Sequence, residues 1–517
     1  MSNRAQHMFD QAETYPHKVA VIFEEEKYTF ARLAELVRTT AGGFRQLGIG
    51  KGTRVGIMIP SSPKFIITQQ ALFAVGAIVT PLSIFYRVAE VSHAITSCDL
   101  EYLVIASDLQ DRVAVDPAFS LGTLRSVILI DDAVAAKHSK AESLSDAIKG
   151  SLPVELLADV DDDDVVMLLL TSATTGKSKG VMLTAGNLVA NYDRTPNWLG
   201  LDSNAVILCA LPLYNTFGLN QCINATLLTG ATMVLLPRFD AERCIDAIND
   251  YQCTFLPAVP TMLQKIIDHP RAGDNRLSSI TKILTGGAPV PAALLQRVLA
   301  AAPEAEVLSA YGLTEGTALV SLTPVCLGAD GEVEHGRTIG RVLDGITLAI
   351  MDDNGVLVGP DEVGEIVIRG PNVMLGYHRA PEDSAIALAD GWLHSGDIGY
   401  IDDEGYAFIV DRKKDVIIRG GQNIYPADIE EVIYGVAGVA EVGVVGISDD
   451  MLGEVPIAFV ALQPGADVSI AAIHERCANE LARYKIPTQI HFLKELPKGP
   501  TGKILRRELR SAAPTSA

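Results

Sequence analysis

Val165-Val166-Met167-Leu168-Leu169-Leu170 runs directly into Thr171-Ser172-Ala173-Thr174-Thr175-Gly176-Lys177-Ser178-Lys179-Gly180. The first six residues form an apolar strand pattern; a loop of small hydroxyl residues, glycine and lysine follows, and then a helix-like stretch at 187–191. Such a loop offers backbone N–H groups, hydroxyls and an ammonium group, which suit the oxygens of a polyphosphate. Gly176-Lys177-Ser178 invites comparison with G-x-x-x-x-G-K-[ST], but that pattern needs glycine where Thr171 stands, so a Walker A loop is excluded. Taken alone, the segment also reads as an ordinary surface turn. The acidic run 161–164 before it reads as a solvated loop or a helix start.

On either side, short β-rich runs alternate with helical patterns: 54–59, 65–75 and 77–81 before the loop, 205–210 and 231–236 after it. Alternation of this kind predicts β-α-β units and largely parallel sheets, an α/β protein. A length of 517 residues exceeds what one core organises, so a large domain and a smaller one are expected. Hydrophobic residues at 48% and charged residues at 20% exclude a disordered chain. A boundary falls where the strand pattern at 406–410 ends in Asp411-Arg412-Lys413-Lys414-Asp415, which divides the chain into 1–413 and 414–517.

A net charge of -21 argues against a general nucleic-acid-binding role, which needs a basic surface, and confines any anionic ligand to a local site. The seven cysteines are odd in number and scattered without a C-x-x-C pair, so free thiols in a reducing compartment are expected. The first nine residues lack the apolar core of a signal peptide. The long apolar stretch 65–82 is broken by Gln69, Gln70, Gly76 and Pro81, which predicts a buried helix-to-strand unit rather than a membrane span. A cytoplasmic protein is the expectation.

The loop has companions in a fixed order: Leu211-Pro212-Leu213-Tyr214-Asn215-Thr216-Phe217-Gly218, Val259-Pro260-Thr261-Met262, Gly286-Gly287-Ala288-Pro289 and Tyr311-Gly312-Leu313-Thr314-Glu315. Gly364-Glu365, Gly370-Pro371 with Gly376-Tyr377, Gly391-Trp392-Leu393-His394-Ser395-Gly396-Asp397, the 411–415 run and Pro497-Lys498-Gly499-Pro500-Thr501-Gly502-Lys503 complete it. Together they resemble the adenylate-forming superfamily of acyl-CoA synthetases, luciferases and nonribosomal peptide adenylation domains, most like an acyl-CoA synthetase. The resemblance implies a large N-terminal domain of two stacked β-α sheets plus a barrel-like subdomain, with a small mobile C-terminal α+β lid. It also implies an AMP-forming carboxylic acid–CoA ligase whose substrates are an acid, ATP and coenzyme A.

The resemblance carries residue roles as well. Thr171, Ser172, Thr174, Thr175, Gly176 and Lys179 would hold the ATP phosphates, and Glu315 would hold Mg2+. Gly287, Ala288, Pro289 and Tyr311 would hold adenine, Gly312 and Thr314 would also bind the nucleotide, and Asp397 and Arg412 would lie on the ribose. Tyr214, Asn215, Phe217, Asn220, Val259, Gly286 and Thr317 are the acyl-pocket candidates, a mixed set that admits fatty, aryl and alicyclic acids. Lys503 would bridge the substrate carboxylate and the α-phosphate. Lys414 would be the hinge that brings Gly420, Gly421, Gln422 and Asn423 toward coenzyme A.

Arg506 and Arg507, on the helix after Lys503, read as surface residues, and His394 reads as structural beside Trp392. Ala173, Ser178 and Asn215 depart from the family pattern and bear on adenylation and on which acid fits. Transfer to a carrier protein, catalysis of a single half-reaction and silent nucleotide binding remain as alternatives, and a homodimer is the default assembly.

Overall fold

The computed structural model describes residues 2–113, 122–131, 141–171, 178–273, 275–288, 290–329, 331–334, 338–420, 422–449, 451–463, 465–498 and 504–513. Two large sheets dominate. In the first, the strands Val165–Leu170, Ile78–Pro81, Arg54–Met58, Tyr102–Ile105, Ser126–Leu129 and Ala141–Ser143 lie side by side and parallel. The apolar stretch at 65–82 resolves as expected into a helix, Pro63–Ala74, and the strand Ile78–Pro81, joined by a turn at Gly76. Proline at the first helical turn costs no hydrogen bond, and Gln69 and Gln70 are buried with the helix.

The second sheet has a parallel half, with Val19–Phe23, Thr232–Leu235, Val206–Cys209, Phe255–Ala258, Lys282–Gly286 and Glu306–Leu313 in spatial order. It continues antiparallel through Ala318–Leu327, Thr338–Val342, Ala407–Arg412, Leu393–Ile401, Gly364–Arg369 and Thr347–Met351. The strands expected as a barrel-like subdomain are this antiparallel extension, and its pairing path among the described residues is open at Thr347–Met351. One apolar cluster, including Phe30, Phe44, Phe65 and Phe255, spans both sheets. At about 25 cal/mol per Å2 of buried apolar surface, a shared core of this kind holds the two sheets as a unit.

A third sheet, in the C-terminal part, joins Gln422–Ile424, Ile417–Arg419, Gly453–Leu462, Val439–Asp449 and Gln489–Phe492, with separate apolar clusters under its helices. All seven cysteines are free, and Cys326 alone among them is exposed. Among the described residues, no helix is long and apolar enough to cross a membrane.

Candidate functional site

The strands on either side of residues 172–177 form an antiparallel pair, where the sequence predicts a strand followed by a helix. Leu170 faces Gly180 across the antiparallel pair Val165–Leu170 and Gly180–Thr184, and only then does the helix Ala185–Asn191 start. Thr184 caps that helix, accepting from the Asn187 N–H at 3.1 Å, while Asn187 accepts from the Thr184 N–H at 2.9 Å. At the mouth of the loop, the Thr171 N–H donates to the Lys179 carbonyl at 3.1 Å. Ser172, Thr174, Thr175 and Gly176 lie outside the described residues, as do Ala173, Pro289, Gly421 and Lys503.

Two linked side-chain clusters sit at the ends of the segment from Tyr311 to Glu315. At one end, the Tyr311 hydroxyl donates to Asp397 Oδ2 at 2.6 Å, and Arg412 Nε pairs with Asp397 Oδ1 at 3.1 Å. Burial and the Asp397 charge push the Tyr311 phenol well above its usual value, so it stays a donor. Each carboxylate oxygen keeps a further lone pair, as an acceptor of ribose hydroxyls requires. A cavity of about 310 Å3, lined by Ser395, Gly396, Arg412, Lys413 and Lys414, opens beside it. At the other end, the Tyr377 hydroxyl donates to Glu315 Oε1 at 2.9 Å, and burial with the Glu315 charge holds that phenol protonated. Lys179 Nζ lies 5.0 Å from the centre of the Tyr377 ring and 2.6 Å from Asp383. Phosphate-loop lysine, candidate metal carboxylate and an unforeseen tyrosine therefore stand together.

The glycines between these clusters are set by backbone packing. A β-carbon on Gly312 would fall inside the Ala318 carbonyl, and one on Gly286 would meet the Ala310 carbonyl. Gly287 has φ +78° and faces Val259, whose Cγ1 is 4.0 Å from where a β-carbon would stand. Gly287 is exposed, and Ala288 and Thr314 are partly exposed.

The acyl-pocket candidates divide. Tyr214, Asn215, Phe217 and Val259 are half-buried. Asn215 Oδ1 caps the short turn Thr216–Gly218, accepting from the Gly218 N–H at 2.9 Å. Asn220 and Thr317 are fully buried and bonded to protein: Asn220 Nδ2 donates to Thr195 at 2.9 Å, and the Thr317 hydroxyl donates to the Asn372 carbonyl at 2.5 Å. Asn220 sits in the π-helical turn Leu219–Asn224.

His394 Nδ1 lies 3.2 Å from Glu365. Gly420, Gln422 and Asn423 form an exposed hairpin tip, and no hydrogen bond or ion pair among the described residues joins it to the Tyr311–Glu315 segment. Arg506 corrects the surface reading: it is mostly buried, with Nη2 at 2.8 and 2.9 Å from Glu430 and Nη1 at 3.2 Å from Asp415 and 3.4 Å from Asp411. Three buried carboxylates demand a cation, and Arg506 supplies it.

Among the described residues, no three His, Cys, Asp or Glu side chains converge as a metal site.

Residues 8–378 match the AMP-binding enzyme family, and residues 428–503 match the AMP-binding enzyme C-terminal domain. The chain is 35% identical to a feruloyl-CoA synthase of an Amycolatopsis species, over 97% of both chains. It is 33% identical to the 3-[(3aS,4S,7aS)-7a-methyl-1,5-dioxo-octahydro-1H-inden-4-yl]propanoyl:CoA ligase of Rhodococcus jostii (strain RHA1), over 96% of each. Among solved structures, ATP-bound MatB from Rhodopseudomonas palustris superposes with a TM-score of 0.88 at 29% identity, covering 99% of this chain and 98% of that one. With its motifs in order and its full length matched, the chain belongs to the AMP-binding enzyme family, the adenylate-forming superfamily, and is most like the acyl-CoA synthetases.

Proposed function

We propose that this protein is an AMP-forming carboxylic acid–CoA ligase whose acid carries an uncharged, largely apolar body. The observation that carries the chemistry is the pair of clusters on one short segment: Tyr311 with Asp397 and Arg412, and Glu315 with Tyr377 and Lys179. One suits a ribose, the other a metal-bound polyphosphate. Asp397 and Arg412 hold the sugar, Gly287, Ala288 and Tyr311 flank the base, and Thr171 and Lys179 meet the phosphates. Mg2+, held by Glu315, would supply positive charge to the leaving pyrophosphate.

A carboxylate oxygen of the acid attacks the α-phosphorus; the P–O bond to pyrophosphate breaks, and an acyl-adenylate forms. Lys503 brings the two anions together. The lid then turns about Lys414, and the hairpin at Gly420–Asn423 reaches the site. The thiol of coenzyme A loses its proton to solvent and its sulfur attacks the acyl carbon, which releases AMP. Tyr214, Asn215, Phe217 and Val259 carry no formal charge, so nothing among them would pair with a second carboxylate.

A panel of fatty, aryl, alicyclic and dicarboxylic acids, each with ATP and either coenzyme A or a phosphopantetheinylated carrier protein, tests the reading. Thioester of coenzyme A with a monocarboxylic acid is expected; product only on the carrier protein, or only from dicarboxylic acids, refutes it. A second expected outcome concerns the ribose site: Asp397→Asn raises the KM for ATP about ten- to a hundredfold, the worth of hydrogen bonds to a charged group. An unchanged KM would remove Asp397 from nucleotide binding.

A further inference from the structure

Asp411 lies in the large sheet, on the strand Ala407–Arg412, three residues before Lys414. Both of its oxygens nevertheless reach the C-terminal part. Oδ2 accepts from the Ala427 N–H at 3.0 Å, in the first turn of the helix Pro426–Tyr434, and Oδ1 meets Arg506 at 3.4 Å. The other partners of Arg506, Asp415 and Glu430, follow Lys414 in the chain and travel with it. Arg506 also opens the helix Arg506–Ala512, whose Leu509 is fully buried against the C-terminal sheet. Just ahead of that helix, Ile504 pairs with Lys498 and the Leu505 N–H donates to the Pro497 carbonyl at 2.8 Å, which closes the base of the segment containing Lys503.

We infer that Asp411 and Arg506 form a latch across the hinge, with Arg506 a positioning residue that ties the base of the Lys503 segment to the large domain until the lid turns. This rests on the lid rotation proposed above. Rotation about Lys414 moves Ala427 and Arg506 away from Asp411 but leaves Arg506 on Asp415 and Glu430. The latch therefore distinguishes the two lid positions, while the Glu430 pair is common to both. In the arrangement seen, the latch is closed while Gly420, Gln422 and Asn423 are exposed, so the closed latch opposes their delivery to the site. Burial raises the Asp411 carboxyl to about 6 in spite of Arg506, so its desolvation offsets part of the ion-pair gain and the contact opens at modest cost.

The test reads lid position without any acid. Dyes are placed on Cys326, the exposed native cysteine, and on Glu475→Cys, an exposed position of the helix Ile470–Glu480. Energy transfer is recorded with ATP alone for the otherwise native chain, for Asp411→Asn and for Glu430→Gln, alongside unfolding midpoints. Asparagine keeps an acceptor for Ala427 but loses the charge facing Arg506. Asp411→Asn is expected to shift the ratio of the two lid populations about tenfold toward the rotated one, with little change in midpoint. Glu430→Gln is expected to lower the midpoint and leave the ratio unchanged. An unaltered distribution in Asp411→Asn, or an equal shift in Glu430→Gln, overturns the latch. Absence of thioester with every acid would defeat the proposed ligase activity and leave this distance measurement standing on its own.

Discussion

Lys503→Ala lowers acyl-adenylate formation by at least about a hundredfold while thioester formation from a supplied acyl-adenylate stays within a few-fold of the native rate. In the first half-reaction two anions, the acid's carboxylate and the α-phosphate, must approach within bonding distance. A positive group placed where that charge develops lowers the barrier by several kcal/mol, and removal of one such donor costs about a hundred- to a thousandfold. In the second half-reaction the attacking group is a thiol and the leaving group is AMP, and the proposed lid rotation takes Lys503 out of the site. The two rates are measured separately, by acid-dependent pyrophosphate release without coenzyme A and by release of AMP from synthetic adenylate with coenzyme A. Equal loss in both would mean that Lys503 acts through stability or serves both steps, and the lid account would fall.

Gly312→Ala carries the largest stability cost expected of any substitution at the site, above about 3 kcal/mol. A methyl group there has no space, because the Ala318 backbone carbonyl occupies its position and a strand cannot give way as a side chain does. The strands Glu306–Leu313 and Ala318–Leu327 pair on either side of the turn that presents Glu315, with a register shift at Tyr311/Gly312. Forcing them apart separates Tyr311 from Asp397 and Glu315 from Tyr377 together, so nucleotide binding and stability fail in parallel. Urea unfolding gives the cost directly; a loss below about 1 kcal/mol would show that the turn is softer than its packing indicates.

The parts of this fold visible in the sequence were those written locally. Six consecutive apolar residues gave away the strand Val165–Leu170, and the break at Gly76 separated helix from strand in the stretch at 65–82. The strand Gly180–Thr184 escaped notice because it pairs with its neighbour across the loop, and five residues carry too little period to declare it. The site divides in the same way. Glu315, Asp397 and Arg412 stand in motifs whose residue types suit their chemistry. Tyr377 was visible as a motif member without a role, since its partner Glu315 is 62 positions away. Arg506 read as surface because arginine next to arginine at a helix start normally is; its partners Asp411, Asp415 and Glu430 lie 76 to 95 positions upstream. No local signal exposed it, because Asp411 and Asp415 already stand beside Arg412, Lys413 and Lys414 in the sequence.

Exchange of labelled pyrophosphate into ATP, in the absence of coenzyme A, tests the central claim of acyl-adenylate formation most directly. Exchange that depends on a monocarboxylic acid and on Mg2+, and that disappears in Lys503→Ala, is the result predicted. A protein that binds ATP yet shows no acid-dependent exchange with any member of the panel would contradict it.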